Sequence, residues 1–124
     1  MSYLVLKAYL QLVRFDFYLS RNKFTALHDK VLNYPLRRHV RSPDTITKIC
    51  SAIDLACTWY WKPVLCLQRS AATACLLKRH GVCAQMIIGA QHMPFRAHAW
   101  VEVDGRVVND KPYAPEMYAV LDRW

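Results

Sequence analysis

A chain of 124 residues, 54 % of them hydrophobic, with three glycines and six prolines, has the make-up of one globular domain and excludes a disordered or collagenous architecture. Its formal charge of +8 is uneven: residues 1–62 hold ten Lys/Arg against four acids, a net +6, while residues 63–124 hold seven against five, a net +2. The front-half charges are scattered (Lys7, Arg14, Arg21, Lys23, Lys30), with only Arg37, Arg38 and Arg41 close together, so a solvated face that attracts an acidic partner is expected and nucleic acid is not.

In chain order, Met-Ser-Tyr lacks the basic start and cleavage site of a signal peptide. The stretch from about Tyr3 to Leu19 reads as a helix apolar on nearly every side (Leu4, Val5, Leu6, Tyr9, Leu10, Leu12, Val13, Phe15, Phe17). Such a helix is buried in its own core or presents a strip to another protein. Lys7, Gln11, Arg14 and Asp16 interrupt it, so no transmembrane span is expected. Weaker helical signals (Phe24, Leu27, Val31, Leu32) lead to Tyr34-Pro35. Ser42-Pro43-Asp44 is a helix start, with Ile46, Ile49, Cys50, Ile53, Cys57 and Tyr60 at helical spacing and a stop near Trp61 because Pro63 disfavours helical geometry at Lys62. Trp59, Tyr60 and Trp61 are core residues or the wall of a groove, and Trp61 is a candidate substrate contact.

A further helix is predicted from Cys66 to about His80, with Gly81 as its left-handed cap and Lys78, Arg79 and His80 facing the negative end of its dipole. Val82–Gly89 reads as a buried strand. Phe95–Val103 alternates, with Ala97, Ala99, Val101 and Val103 on one face and His98, Trp100 and Glu102 on the other. Asp104-Gly105 turns the chain, and Arg106–Asp110 returns as the partner strand. No role is assigned to the tail after Lys111. Helices followed by an antiparallel sheet make the fold class α+β.

Three residues suggest chemistry. A thiolate is the attacking form of cysteine, and a helix N-terminus or a neighbouring imidazolium favours it. Cys66 has the first by position, and its own N–H, unpartnered in a first helical turn, is placed to donate to an oxyanion. His98 is the best placed of five histidines, since a strand holds its ring direction better than the loop of His92, the helix end of His80 or the weakly patterned surroundings of His28 and His39. For the third member the hairpin decides. A three-residue turn, Val103-Asp104-Gly105, sets Asp110 opposite His98 and is the form expected here; a two-residue turn puts Asn109 on that face instead, so Asn109 is the alternative. Glu102 and Asp104 are read as solvent-facing charges. Arg69 and Ser70 share a helix face with Cys66 and, with Trp100 beside His98, are candidates to line the substrate site, although Arg69 also suits a structural ion pair. The remaining cysteines, Cys50, Cys57, Cys75 and Cys83, have no C-x-x-C or zinc-like spacing. No disulfide scaffold, metal or organic cofactor is expected, and a reducing cytoplasm is the expected setting.

Cys66-Leu67-x-Arg69-Ser70, the run Leu76-Leu77-x-x-x-Gly81-Val82-x-Ala84 to Gly89, and His98-Ala99-Trp100-Val101-Glu102-x-Asp104-Gly105 ending in Asn109-Asp110 resemble the leader peptidases of lasso peptide biosynthesis, relatives of the transglutaminase-like, papain-like cysteine hydrolases. The resemblance covers roughly residues 55–113. It implies a Cys-bearing helix packed on a small antiparallel sheet, and a Cys66–His98–Asp110 peptidase that removes the leader of a ribosomally made precursor. The freed amine is then joined to an acidic side chain by an ATP-dependent, asparagine-synthetase-like cyclase. In that family the next-to-last leader residue is typically Thr. Some members carry an N-terminal leader-recognition domain and others take the leader from a separate recognition protein. This chain looks like the free-standing kind, a single domain over 1–124 with a helical segment, 1–41, that docks the recognition protein, the leader or the cyclase, and a peptidase core, 42–124. Two other readings remain: a transglutaminase-like acyl transferase to an amine, and a non-catalytic basic protein that holds an acidic peptide or nucleic acid.

Overall fold

The computed structural model describes residues 2–36, 44–91, 95–112 and 114–124. The Arg37–Arg41 cluster, His39, the Ser42-Pro43 helix start and the His92–Pro94 loop lie outside the described residues. Four helices come first: α1 (Ser2–Ser20), α2 (Phe24–Leu32), α3 (Thr45–Trp59) and α4 (Cys66–Arg79). Then follow β1 (Ala84–Gln91), β2 (Arg96–Val103), β3 (Arg106–Val107), a single helical turn α5 (Ala114–Met117) and β4 (Ala119–Arg123). The strands form one antiparallel sheet in the order β3-β2-β1-β4. The α+β expectation is therefore met, and the tail supplies a strand that sequence pattern did not reveal.

The sheet is two-sided because side chains alternate along each strand. Ala84, Met86, Ala99, Val101 and Val103 face the helices and join Ala8, Leu12, Phe15, Leu27, Ile49, Ile53, Leu76 and Leu77 in the main core. Ile87 and Trp100 point the other way and pack with Val107 and Tyr118. α1 lies against both α3 and α4, sending Ala8, Leu12 and Phe15 inward at fourth- and third-residue spacing. The Nε2 amide of Gln68 donates to the Leu12 carbonyl at 2.8 Å. Asp16 accepts from Tyr60 Oη at 2.6 Å and pairs with Lys62 Nζ at 2.7 Å. Burial works to raise the Asp16 carboxyl, yet the bonds from Lys62, Tyr60 and Ser20 outweigh it and hold the group below its ordinary value. Together these contacts fix α1 to the segment that leads into α4.

Helix ends follow local chemistry. Gly81 adopts φ 82°, the Val82 N–H reaches the Leu77 carbonyl and the Gly81 N–H reaches that of Lys78, a Schellman closure that only glycine enters freely. α1 closes the same way through Asn22 at φ 54°. Lys78 donates to the Val31 carbonyl at 2.7 Å, so it caps the end of α2. Trp124 returns the tail to the core, exchanging backbone hydrogen bonds with Met86 and meeting the His28 ring edge-on at 4.6 Å.

The two sides of α1 differ in energetic weight. Leu12→Ala is expected to lower unfolding free energy by about 2–5 kcal/mol, and Leu10→Ala, at a residue 59 % exposed, by less than about 0.5 kcal/mol. Urea denaturation of the two variants measures the contrast.

Candidate active site

Leu65 is extended (φ −75°, ψ 153°) and no side chain caps α4. The first helical bond runs from the Arg69 N–H to the Leu65 carbonyl, so the Cys66 N–H has no partner among the described residues. The Cys66 thiol is free and half-buried. α4 runs back along β1, whose partner β2 pairs Gly89 with His98. The N-terminal turn of α4 therefore comes level with the start of β2, where His98 lies. Ser70, one turn after Cys66, bonds the Ala99 carbonyl at 3.1 Å.

The β2–β3 hairpin is not the form expected. Val103 pairs with Arg106, with Asp104 at φ 53° and Gly105 at φ 76°, a two-residue turn of the kind that suits strand twist. A regular ladder would then place Asn109 on the face of His98. It does not, because β3 stops at Val107. Asn109 Oδ1 accepts the Val101 N–H at 2.8 Å, where a strand carbonyl would have sat. Its Nδ2 donates to Ser70 Oγ at 3.2 Å. The chain swings past the strand line, and Asp110 Oδ2 meets His98 Nε2. Its Oδ1 accepts the Lys111 N–H at 2.7 Å. Burial acts to raise the Asp110 carboxyl, but the bonds from His98 and Lys111 prevail and hold it below the usual carboxylate range. With a folded value below the unfolded one, its stabilising contribution is present above the ordinary carboxylate value and is lost as pH falls through the depressed one.

The carboxylate on Nε2 draws the ring proton to that side and leaves the lone pair on Nδ1. Nδ1 makes no hydrogen bond among the described residues, and none joins Cys66 to the ring. The structure thus brings His98 and Asp110 into contact and sets Cys66 at the same end of the sheet, with no thiol–imidazole hydrogen bond among the described residues.

Over residues 9–123 the chain matches the family model of the transglutaminase-like superfamily. The chain belongs to that superfamily. The microcin J25-processing protein McjB of Escherichia coli is 38 % identical to it over 56 residues, a stretch that spans 45 % of this chain and 27 % of that relative's length. No solved structure matches the chain. The two matches bear out the resemblance read from the sequence.

Around the His98–Asp110 pair of this transglutaminase-like domain, the far face of the sheet is aromatic. Tyr118 stacks near His98 and Trp100, with centroids at 5.2 and 6.0 Å, and His98 and Trp100 lie 6.0 Å apart. Tyr118 had no signal in the sequence beyond its aromatic character, because β4 places it. Gly89 makes the stack possible: a Cβ there would lie 2.8 Å from both the Trp100 ring and Tyr118 Cβ. Glu102 corrects its expected exposure. It is buried, accepting the indole N–H of Trp100 at 2.9 Å and facing Arg123 at 3.2 Å, since β4 carries Arg123 over it. Asp104 is exposed, as expected.

The residues expected to line a substrate site are dispersed. Trp100 is fully buried and Ser70 is buried in the seam between α4 and the sheet. Arg69 is half-exposed and paired with Asp54 at 2.6 Å. Trp61 is exposed, stacked on Tyr60 with Lys62 over its face. Burial pushes the Cys50 thiol up to about 11 and that of Cys75 to about 12, and also raises Cys57. Cys50 further donates to the Val108 carbonyl.

Two substitutions test this geometry. Asn109→Ala strands the buried Val101 N–H and should cost about 1–3 kcal/mol in chemical denaturation. Gly89→Ala should cost a similar ~1–3 kcal/mol through overpacking and, unlike the first, collapse the near-UV circular dichroism of the Trp100–Tyr118 pair.

Proposed function

We propose that this transglutaminase-like chain is a cysteine peptidase that removes the leader of a ribosomally made lasso peptide precursor. The observation that carries the reading is the Asp110-held imidazole, with Nδ1 unengaged, at the sheet end where Cys66 opens a helix. The name of McjB supports peptide processing as the setting. The precursor reaches the chain with a separate leader-recognition protein, and an ATP-dependent macrolactam cyclase takes up the product. The five free cysteines suit a reducing cytoplasm. No described helix is long and apolar enough to cross a membrane.

In the proposed reaction the Cys66 proton moves to His98 Nδ1 while Asp110 holds Nε2. The thiolate adds to the carbonyl of the last leader residue, and the oxyanion takes a hydrogen bond from the Cys66 N–H. His98 then returns its proton to the leaving core amine as the C–N bond breaks. Water, deprotonated by the same ring, cleaves the thioester and frees the leader carboxylate and the thiol. The step requires Cys66 Sγ to reach His98 Nδ1.

Mass spectrometry of precursor mixed with the recognition protein and this chain tests the proposal. Wild type should release leader and core; Cys66→Ala should release neither, and Asp110→Asn should slow cleavage by about 10²-fold or more. A Cys66→Ala variant that still cuts overturns the catalytic assignment, and a covalently joined product marks acyl transfer to an amine. Iodoacetamide at about pH 6 should modify Cys66 before the exposed Cys83 and well before the three thiols that burial keeps protonated.

A further inference from the structure

The outward side of α1 carries an apolar seam that no described residue covers. Tyr3, Leu6, Leu10, Val13 and Phe17 recur at alternating intervals of three and four, and all are between 43 % and 69 % exposed. This is the a/d repeat of a helix that packs against another helix. Its opposite side is already committed to the core through Ala8, Leu12 and Phe15.

One flank of the seam is basic. Lys7 and Arg14, seven residues apart, border it on the side of α4, and Arg21 continues the line with its guanidinium 5.1 Å from the Phe17 ring. Between α1 and α4 a shallow groove is lined by Lys7, Leu10, Gln11, Arg14, Leu76 and Arg79. None of its three cations forms an ion pair among the described residues. Gln11 is 6 % exposed, and its Oε1 has no hydrogen-bond partner there. The one acid of α1, Asp16, lies on the other flank and is engaged by Lys62 and Tyr60.

We infer that this face of α1 docks an amphipathic helix of a different protein, with apolar residues in the seam and carboxylates over Lys7, Arg14 and Arg79. A second copy of this chain does not fit. Antiparallel pairing sets Lys7 and Arg14 against their own counterparts, and parallel pairing offers only the occupied Asp16. An anionic membrane fits less well, because a surface helix has a broader apolar face with cations on both borders. The inference uses none of Cys66, His98 and Asp110, so it stands or falls apart from the peptidase reading.

The test uses the full chain and two labelled synthetic peptides of about four heptads, with Ile and Leu at a and d and either Glu or Lys at e and g. In fluorescence anisotropy the Glu peptide should bind about tenfold or more tightly than the Lys peptide, and less tightly as salt rises. Leu10→Ser should weaken it. Lys7→Glu with Arg14→Glu should invert the preference. Both variants alter positions outside the core, and unchanged far-UV circular dichroism verifies their folding. Equal affinity for the two peptides, no saturable binding of the Glu peptide, or indifference to the charge reversal overturns the inference. So does capture by phosphatidylglycerol vesicles without peptide binding, or self-association that Leu10→Ser abolishes.

Discussion

A single amide organises the candidate site. Where β3 leaves β2, two groups of the β2 edge lose their strand partners, the Val101 N–H and the Ala99 carbonyl. Asn109 Oδ1 takes the first, Ser70 Oγ takes the second, and Asn109 Nδ2 donates to that same Ser70 oxygen. The cycle is buried, and a buried unpaired polar group costs about 1–3 kcal/mol, so its three members must be satisfied together. Two consequences follow from one geometry. α4 is pinned to the sheet one turn after Cys66, and the residue after Asn109 is thrown onto His98. Neither a continued strand nor a flexible loop would do both.

The two faces of the sheet are filled differently. Its helix side is filled with aliphatic residues and closes the main core. Its far side holds His98 beside Trp100 and Tyr118, a wall whose close approach depends on the missing side chain at Gly89. Glu102 lies buried in that wall between the Trp100 indole and Arg123. The ring of His98 therefore has an aromatic flank and a carboxylate end, two restraints on one imidazole. Desolvation disfavours the thiolate at Cys50, Cys57 and Cys75.

What the sequence made legible was local. α1 and α4 lie within a residue or two of their expected bounds, because apolar spacing and Gly81 are determined within a single element. The alternation of β2 was equally readable, and with it the separation of His98 and Trp100 from Ala99 and Val101. The hairpin was not. Both turn forms are open to Asp104-Gly105, and choosing between them required knowing that Asn109 would find Ser70, a residue 39 positions away. The contact between Asp110 and His98 was expected through a three-residue turn, whereas it arises through a two-residue turn and a broken strand. β4 is exposed along its whole length and so carries no alternating pattern in the sequence; its place comes from backbone pairing with β1. The burial of Glu102 is hidden from the sequence for the same reason, since the arginine that covers it belongs to that strand.

α1 shows how a pattern that looks ambiguous in sequence resolves into two distinct faces in space. A helix apolar on nearly every side offers no phase by which to choose its buried face. Packing chooses it: Ala8, Leu12 and Phe15 are the residues whose size and position fit the ridges of α3 and α4, and Gln68 locks the choice through the Leu12 carbonyl. What is left outside is a narrower set at heptad spacing with cations along one edge. Exposed leucines alone would mean little, as much of any protein surface is apolar. Five apolar side chains in a regular line, bordered by cations with no ion-pair partner among the described residues, are different, because that order has no role in the core they turn away from. Three of the ten front-half cations, Lys7, Arg14 and Arg21, thus border an apolar seam, on a helix whose other side holds the start of α4 in place.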